Sequence, residues 1–267
     1  MSLPTSLDAL LHLIRQAGEA ILEIYNTEFE VETKQDDSPL TAADLAAHRL
    51  IVNTLEQLTP EIPVLSEESS KIPFETRRGW DRYWLIDPLD GTQEFVKRNG
   101  EFTVNIALID QHRAVFGAVY APVLDTLYYG IAGEGAYKQT GSETARPIRV
   151  TDPCAQPVRV VGSRSHAGDS LRVYLERLGD HEMVSMGSSL KLCLVAEGKA
   201  DVYPRLGPTS EWDTAAAQAV VEAAGGRVTT LDLQTLSYNT KDSLLNPFFL
   251  VFGDTQRDWS AYLDESH

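Results

Sequence analysis

Carboxylates at the ends of short apolar runs are the residues of this chain best placed to do chemistry. Trp84-Leu85-Ile86 leads directly into Asp87-Pro88-Leu89-Asp90-Gly91-Thr92-Gln93-Glu94-Phe95. The apolar residues read as a strand that delivers Asp87 at its carboxyl end. Pro88 sets φ and turns the chain, and Asp90 falls where a helix can begin at Gly91-Thr92. Two hard oxygen ligands and the Leu89 carbonyl are then presented together, beside the N–H groups of Gly91 and Thr92. Such oxygens suit Mg²⁺, which keeps waters and shares phosphate oxygens with a substrate, and N–H groups at a helix start suit a phosphate. The same residues also read as a strand, a turn and an aspartate capping a helix, because Asp and Gly are common turn residues.

Three further carboxylate positions stand in comparable places. Val64-Leu65-Ser66 ends in Glu67-Glu68, Asp213 follows Glu211-Trp212 at the head of an Ala-rich stretch, and Asp44 follows Thr41-Ala42-Ala43. Taken singly, each is the ordinary chemistry of a helix cap or a solvated pair. Other site types are absent: the sequence has no G-x-S-x-G elbow, no G-x-x-x-x-G-K-[ST] loop, no H-E-x-x-H, no EF-hand loop and no G-x-G-x-x-G after a strand.

The elements that must position these groups follow from periodicity. Leu7, Leu10, Leu11, Ile14, Ala17 and Ile21 recur at helical spacing, and Thr41 to Leu58 repeats the pattern. Short strand-like runs follow at Tyr83–Ile86, Thr103–Ile109, Ala114–Ala121 and Thr126–Ile131, punctuated as an antiparallel sheet requires. After Val150 the pattern changes. Val158–Val161 and Phe248–Phe252 read as strands, and Gly168–Leu178, Ser188–Glu197 and Asp213–Ala224 read as helices. The expected organisation is an α+β part over 1–150 and an α/β part over 151–267.

The chain has 267 residues, 43% of them hydrophobic, and a net charge of −16. That composition is globular, and so acidic a surface argues against a nucleic-acid polymer as partner. Cys154 and Cys193 cannot build a disulfide framework, and Met1 to Tyr25 reads as an amphipathic helix rather than a secretion signal. A cytoplasmic location is expected.

The segments Leu65-Ser66-Glu67-Glu68, Asp87-Pro88-Leu89-Asp90-Gly91-Thr92 and Trp212-Asp213-Thr214-Ala215-Ala216 together resemble the signature of the inositol monophosphatase family, in order and spacing. Ser38-Pro39-Leu40-Thr41-Ala42-Ala43-Asp44, Lys97 to Ile109, Gly187-Ser188-Ser189-Leu190-Lys191 and Tyr203 to Thr209 resemble its bisphosphate-nucleotidase branch. The likeness spans nearly the whole chain, with Gln93 standing where Lys is common. It implies a layered αβαβα sandwich with the site between the two parts. It also implies two or three Mg²⁺ ions held by Glu67, Asp87, the Leu89 carbonyl, Asp90 and Asp213. Glu67, Asp87, Asp90 and Asp213 with a phosphate dianion would bring six negative charges together, an arrangement that requires cations.

By the same resemblance, Thr92 and Asp44 orient and deprotonate the attacking water. Whether Asp44 or Glu67 takes the proton stays open. Glu67, Leu89, Asp90, Gly91, Thr92 and Asp213 would surround the scissile phosphate, while His166, Ser188, Lys191 and Arg205 would hold the nucleotide, with Ser188 and Lys191 on one helical face. The expected reaction is removal of the 3'-phosphate of adenosine 3',5'-bisphosphate, in sulfate assimilation, with Li⁺ sensitivity. Peripheral contact with the inner membrane face is a further expectation, and the oligomeric state is open. The rivals are inositol monophosphatase or fructose-1,6-bisphosphatase activity on the same fold, and a non-catalytic Mg²⁺ and nucleotide sensor.

Overall fold

The computed structural model describes residues 2–28, 30–33, 39–162 and 169–264. His166, with Ser163, Arg164 and Ser165, therefore lies outside the described residues. In the first half of the chain the elements are α1 Leu7–Tyr25, β1 Val31–Thr33, β2 Pro39–Thr41, α2 Ala42–Leu58, β3 Val64–Ser66, α3 Phe74–Arg77, β4 Arg82–Asp90, α4 Thr92–Val96, β5 Thr103–Asp110, β6 Arg113–Ala121, β7 Thr126–Ile131, β8 Gly135–Thr140 and β9 Arg146–Ile148. They continue as β10 Val158–Gly162, α5 Asp169–Leu178, β11 His181–Ser185, α6 Leu190–Ala196, β12 Val202–Arg205, α7 Glu211–Ala223, β13 Arg227–Thr230 and β14 Phe249–Phe252.

Strands β3 to β9 form one seven-stranded sheet in sequence order, antiparallel except for the parallel β3–β4 pair. Sequential order follows from tight hairpins. Between β5 and β6, Gln111 and His112 take φ of +48° and +65°, the left-handed pair that matches strand twist in a two-residue turn. The second sheet has the order β11-β10-β12-β14-β13, parallel across β11, β10 and β12 and antiparallel beyond.

Both sheets are covered on both faces. Helices α1 and α2 bury Leu10, Leu13, Ile14, Ile51 and Leu55 against Trp84, Ile86, Ile106 and Phe116 on the outer face of the first sheet. Between the sheets, α6 and α7 share a core with Leu85, Ala107, Val119, Val161 and Val251. Helix α5 and the turn at Trp259–Tyr262 cover the far face of the second sheet. The layers therefore run α, β, α, β, α. The alanines of α7 allow close seating: a β-carbon on Gly117 or Gly130 would stand 2.0 and 2.7 Å from the carbonyl oxygens of Ala216 and Ala219. Among the described residues no helix is long and apolar enough to cross a membrane, and peripheral membrane contact finds no support here.

Several expected boundaries move. Helix α6 starts at Leu190, not Ser188, because Ser188 has φ +43°. The expected helical face joining Ser188 and Lys191 is therefore replaced by a turn in which the Lys191 N–H meets the Ser188 carbonyl at 3.4 Å. Strand β4 runs on through Pro88 to Asp90 instead of ending at Asp87. Proline is tolerated there because the ladder is broken: Asp87 pairs with Asn105 and Asp90 with Thr103, which leaves one extra residue on β4.

Candidate metal and nucleotide site

That extra residue decides where the aspartates point. Along a regular strand, residues three apart face opposite sides. Here Leu89 turns to the outer face with Ile86, and Asp87 and Asp90 both face the layer containing α7. Asp213, at the third position of α7, comes to meet them. Its Oδ2 accepts from the Ser210 N–H at 2.8 Å in a capping box, so it is a cap and also part of the cluster.

One carboxylate oxygen from each of Asp87, Asp90 and Asp213 lies within 4.8 Å of the others. Glu67, heading the turn after β3, adds a hydrogen bond and its charge to Asp87. Asp87 is 1% exposed; burial, then the charges of Glu67, Asp90 and Asp213, push its pKa well above the usual carboxylate range. Burial and then Asp90 push Asp213 up to about 8, against the Ser210 N–H. Such crowding is relieved by a cation, and a donor set of oxygens alone fits a hard divalent one such as Mg²⁺.

Asp44 is buried at the first turn of α2. Its Oδ2 accepts from the Thr41 N–H at 2.8 Å and the Thr41 hydroxyl at 2.6 Å. Its Oδ1 faces the Thr92 hydroxyl at 3.4 Å, which also lies 3.4 Å from the Leu89 carbonyl oxygen. Gly91 joins the two aspartates to this pair with φ +90°, and a β-carbon there would press on Glu94, Ser188 and Glu101 at 3.2 to 3.4 Å. The left-handed φ favours glycine there, and an added carbon would make its neighbours give by a few tenths of an ångström.

From Asp90 and Asp213 a cavity of about 460 Å³ extends past Ser188, Lys191, Tyr203 and Arg205 toward Leu171 and Phe249. Burial pushes the Lys191 ammonium below its usual pKa, opposed by the Asp90 charge, and its Nζ stands 5.9 Å from the centre of the Tyr203 ring. Arg205 donates through Nη2 to the Pro208 carbonyl at 2.8 Å. Its Nε and the Ser188 hydroxyl are buried with no hydrogen-bond partner among the described residues. Both residues line the cavity.

Ser189, Asn105, Thr103 and Tyr203 escape the sequence reading as site residues. Ser189 bonds Asp90 through both its N–H and its hydroxyl, and Asn105 Nδ2 donates to Ser189 Oγ at 2.7 Å. A signal for two of them was present: Thr103 and Asn105 are polar residues on one face of an otherwise apolar strand.

The profile of the inositol monophosphatase family matches residues 4–258. A 3'(2'),5'-bisphosphate nucleotidase CysQ of Salmonella typhimurium is 53% identical over 92% of this chain and 98% of its own, and that of Escherichia coli K12 is 51% identical over the same shares. Among solved structures, CysQ from Bacteroides thetaiotaomicron superposes with a TM-score of 0.80 at 44% identity, covering 92% of this chain and 96% of its own. An inositol monophosphatase from Anabaena follows the fold with a TM-score of 0.74 at 28% identity, covering 96% and 94%. With the metal-type carboxylates converging between two sheets and these likenesses spanning almost its whole length, the chain belongs to the inositol monophosphatase family.

Proposed function

We propose that the protein is a Mg²⁺-dependent phosphomonoesterase that hydrolyses the 3'-phosphate of adenosine 3',5'-bisphosphate, giving AMP and phosphate. One observation carries this reading: two of the three clustered aspartates, Asp90 and Asp213, line the same cavity as the cations Lys191 and Arg205. An acidic end suits a phosphate bound with metals, and a cationic stretch beside it suits a second phosphate that does not react. Inositol monophosphate carries no second phosphate for those cations.

Asp87, Asp90, Asp213, Glu67 and the Leu89 carbonyl would hold two or three Mg²⁺ ions. Bound there, the ions would neutralise the phosphate and the charge that grows on the leaving ribose oxygen. The chain's own groups prepare the water. Asp44 Oδ2 accepts from Thr41, and Oδ1 faces the Thr92 hydroxyl at 3.4 Å. Thr92 donates its proton to Asp44 and accepts from the water, which aims the water's lone pair at phosphorus. Attack is in line, the P–O3' bond breaks, the water's proton passes to Asp44 or Glu67, and the leaving O3' takes a proton from solvent water to become the 3'-hydroxyl of AMP. The N–H groups of Gly91 and Thr92 support the phosphate. Ser188, Lys191, Arg205 and His166 bind the nucleotide.

Clearance of a sulfate-assimilation by-product in the cytoplasm, with inhibition by Li⁺, is the physiological role we attach to this chemistry. Phosphate release should be measured from adenosine 3',5'-bisphosphate, inositol 1-phosphate and fructose 1,6-bisphosphate, with and without Mg²⁺. Preference for the nucleotide and dependence on Mg²⁺ are expected. Preference for either sugar phosphate would overturn the substrate, and binding without turnover would make the protein a sensor.

A further inference from the structure

Asp90 is held through one of its two carboxylate oxygens. Oδ2 accepts from the Ser189 N–H at 2.6 Å and from the Ser189 hydroxyl, with the Thr103 hydroxyl and Asn105 Nδ2 each 3.5 Å away. Behind it runs a directed chain. The Thr103 hydroxyl donates to Asn105 Oδ1 at 3.1 Å, which aims the amide Nδ2 at Ser189 Oγ at 2.7 Å. A serine hydroxyl has one proton. Since Ser189 accepts from Asn105, its own proton goes to Asp90 Oδ2 or to the Asp213 carbonyl oxygen, 3.0 Å away. The carboxylate is the stronger acceptor.

Thr103, Asn105 and Ser189 are all buried, at 0%, 1% and 2% exposure, where such bonds are strengthened by the low local dielectric. Thr103, Asn105 and Asp90 belong to the first sheet, whereas Ser189 precedes α6 in the second half of the chain. The left-handed turn at Ser188 brings the Ser189 N–H back onto Asp90. Ser189 thus touches two of the three clustered aspartates, one from each half, without belonging to the cluster.

We propose that Ser189, oriented by Asn105, is a positioning residue that occupies Asp90 Oδ2, presents Oδ1 to a divalent cation, and sets the spacing between Asp90 and Asp213. The inference rests on the reading of these aspartates as cation ligands. A carboxylate with both oxygens free can rotate and chelate, whereas Mg²⁺ demands near-octahedral geometry and rewards a ligand already fixed with one oxygen forward.

The test is Mn²⁺ binding to the full chain without substrate, read from the electron paramagnetic resonance of the free ion. Ser189→Ala and Asn105→Ala should each weaken binding by about 10- to 100-fold, the range typical for lost supports of metal ligands. Ser189→Thr, which keeps the hydroxyl, should stay within about threefold of the parent. Melting temperature in chelator separates a folding defect from a positioning role. Mn²⁺ affinity within twofold of the parent in Ser189→Ala, or a loss in Ser189→Thr equal to that in Ser189→Ala, would overturn the proposal. Should Ser189→Ala not fold, Asn105→Ala and Ser189→Thr decide by the same criteria. A parent protein that binds Mn²⁺ yet releases no phosphate would overturn the catalytic reading alone; one that binds no Mn²⁺ would overturn both.

Discussion

Gly117 on β6 and Ala216 on α7 are in such close approach that a β-carbon on the glycine would stand 2.0 Å from the alanine carbonyl oxygen. The obstruction is backbone, which cannot rotate away. Gly117→Ala should therefore push α7, and Asp213 with it, off the first sheet. Overpacking of this kind costs about 3 kcal/mol or more, which for a chain of this size lowers the melting temperature by roughly 6–12 °C. Gly133→Ala is the control, since its added carbon meets nothing within 4 Å and only the left-handed φ of +81° opposes it. A loss of about 1–2 kcal/mol is expected there. Equal melting temperatures for the two variants would refute the packing argument.

Asp213 has a pKa near 8 without metal, against 3.8 ordinarily. A carboxyl whose folded pKa is raised binds more protons folded than unfolded, so its contribution is full below the unfolded pKa and declines as pH rises toward the folded one. In chelator, the protein should lose stability progressively from about pH 4 to pH 8. Asp213→Asn removes that charge, so its melting temperature at pH 8 in chelator should match or exceed the parent's, while turnover is lost. A melting temperature well below the parent's would make the capping role of Asp213 the dominant one.

Lys191 and Arg205 should separate recognition from chemistry. Removing a charged contact to the part of the substrate that does not react forfeits about 1.5–3 kcal/mol, roughly 10- to 150-fold. Lys191→Met and Arg205→Met should raise KM for adenosine 3',5'-bisphosphate by that factor and leave a minimal phosphomonoester nearly unaffected. Asp90→Asn should injure both substrates alike. Steady-state kcat/KM for the two substrates in the three variants gives the answer, and equal damage from Lys191→Met would move Lys191 into the structural or catalytic set.

Divalent metal should be obligatory. Chelation should abolish phosphate release, Mg²⁺ should restore it, and Li⁺ should inhibit at fixed Mg²⁺. Full turnover in chelator would sink the metal chemistry, whereas full turnover in Li⁺ would remove only the lithium sensitivity.

Amino-acid sequence alone determined the elements and the chemistry of the residues in them. Helical spacing marks α1 and α2, strand-like runs mark β4 to β7, and Glu67, Asp90 and Asp213 stand at or near the ends of elements, where side chains can converge, with Asp87 three residues inside β4. These signals are local, carried by residues within a turn or two of one another. What tertiary structure decided is which side each group faces and what it meets there. The bulge between Asp87 and Asp90 exists only because β5 supplies partners two residues apart opposite three. Ser188 leaves the helix because the Ser189 N–H is drawn to a carboxylate 99 residues earlier. The link from Asn105 through Ser189 to Asp90 joins two halves of the chain, and no spacing rule spans that distance. Burial, which lowers the pKa of Lys191 and raises that of Asp213, follows only from the packing of α6 and α7 between the two sheets.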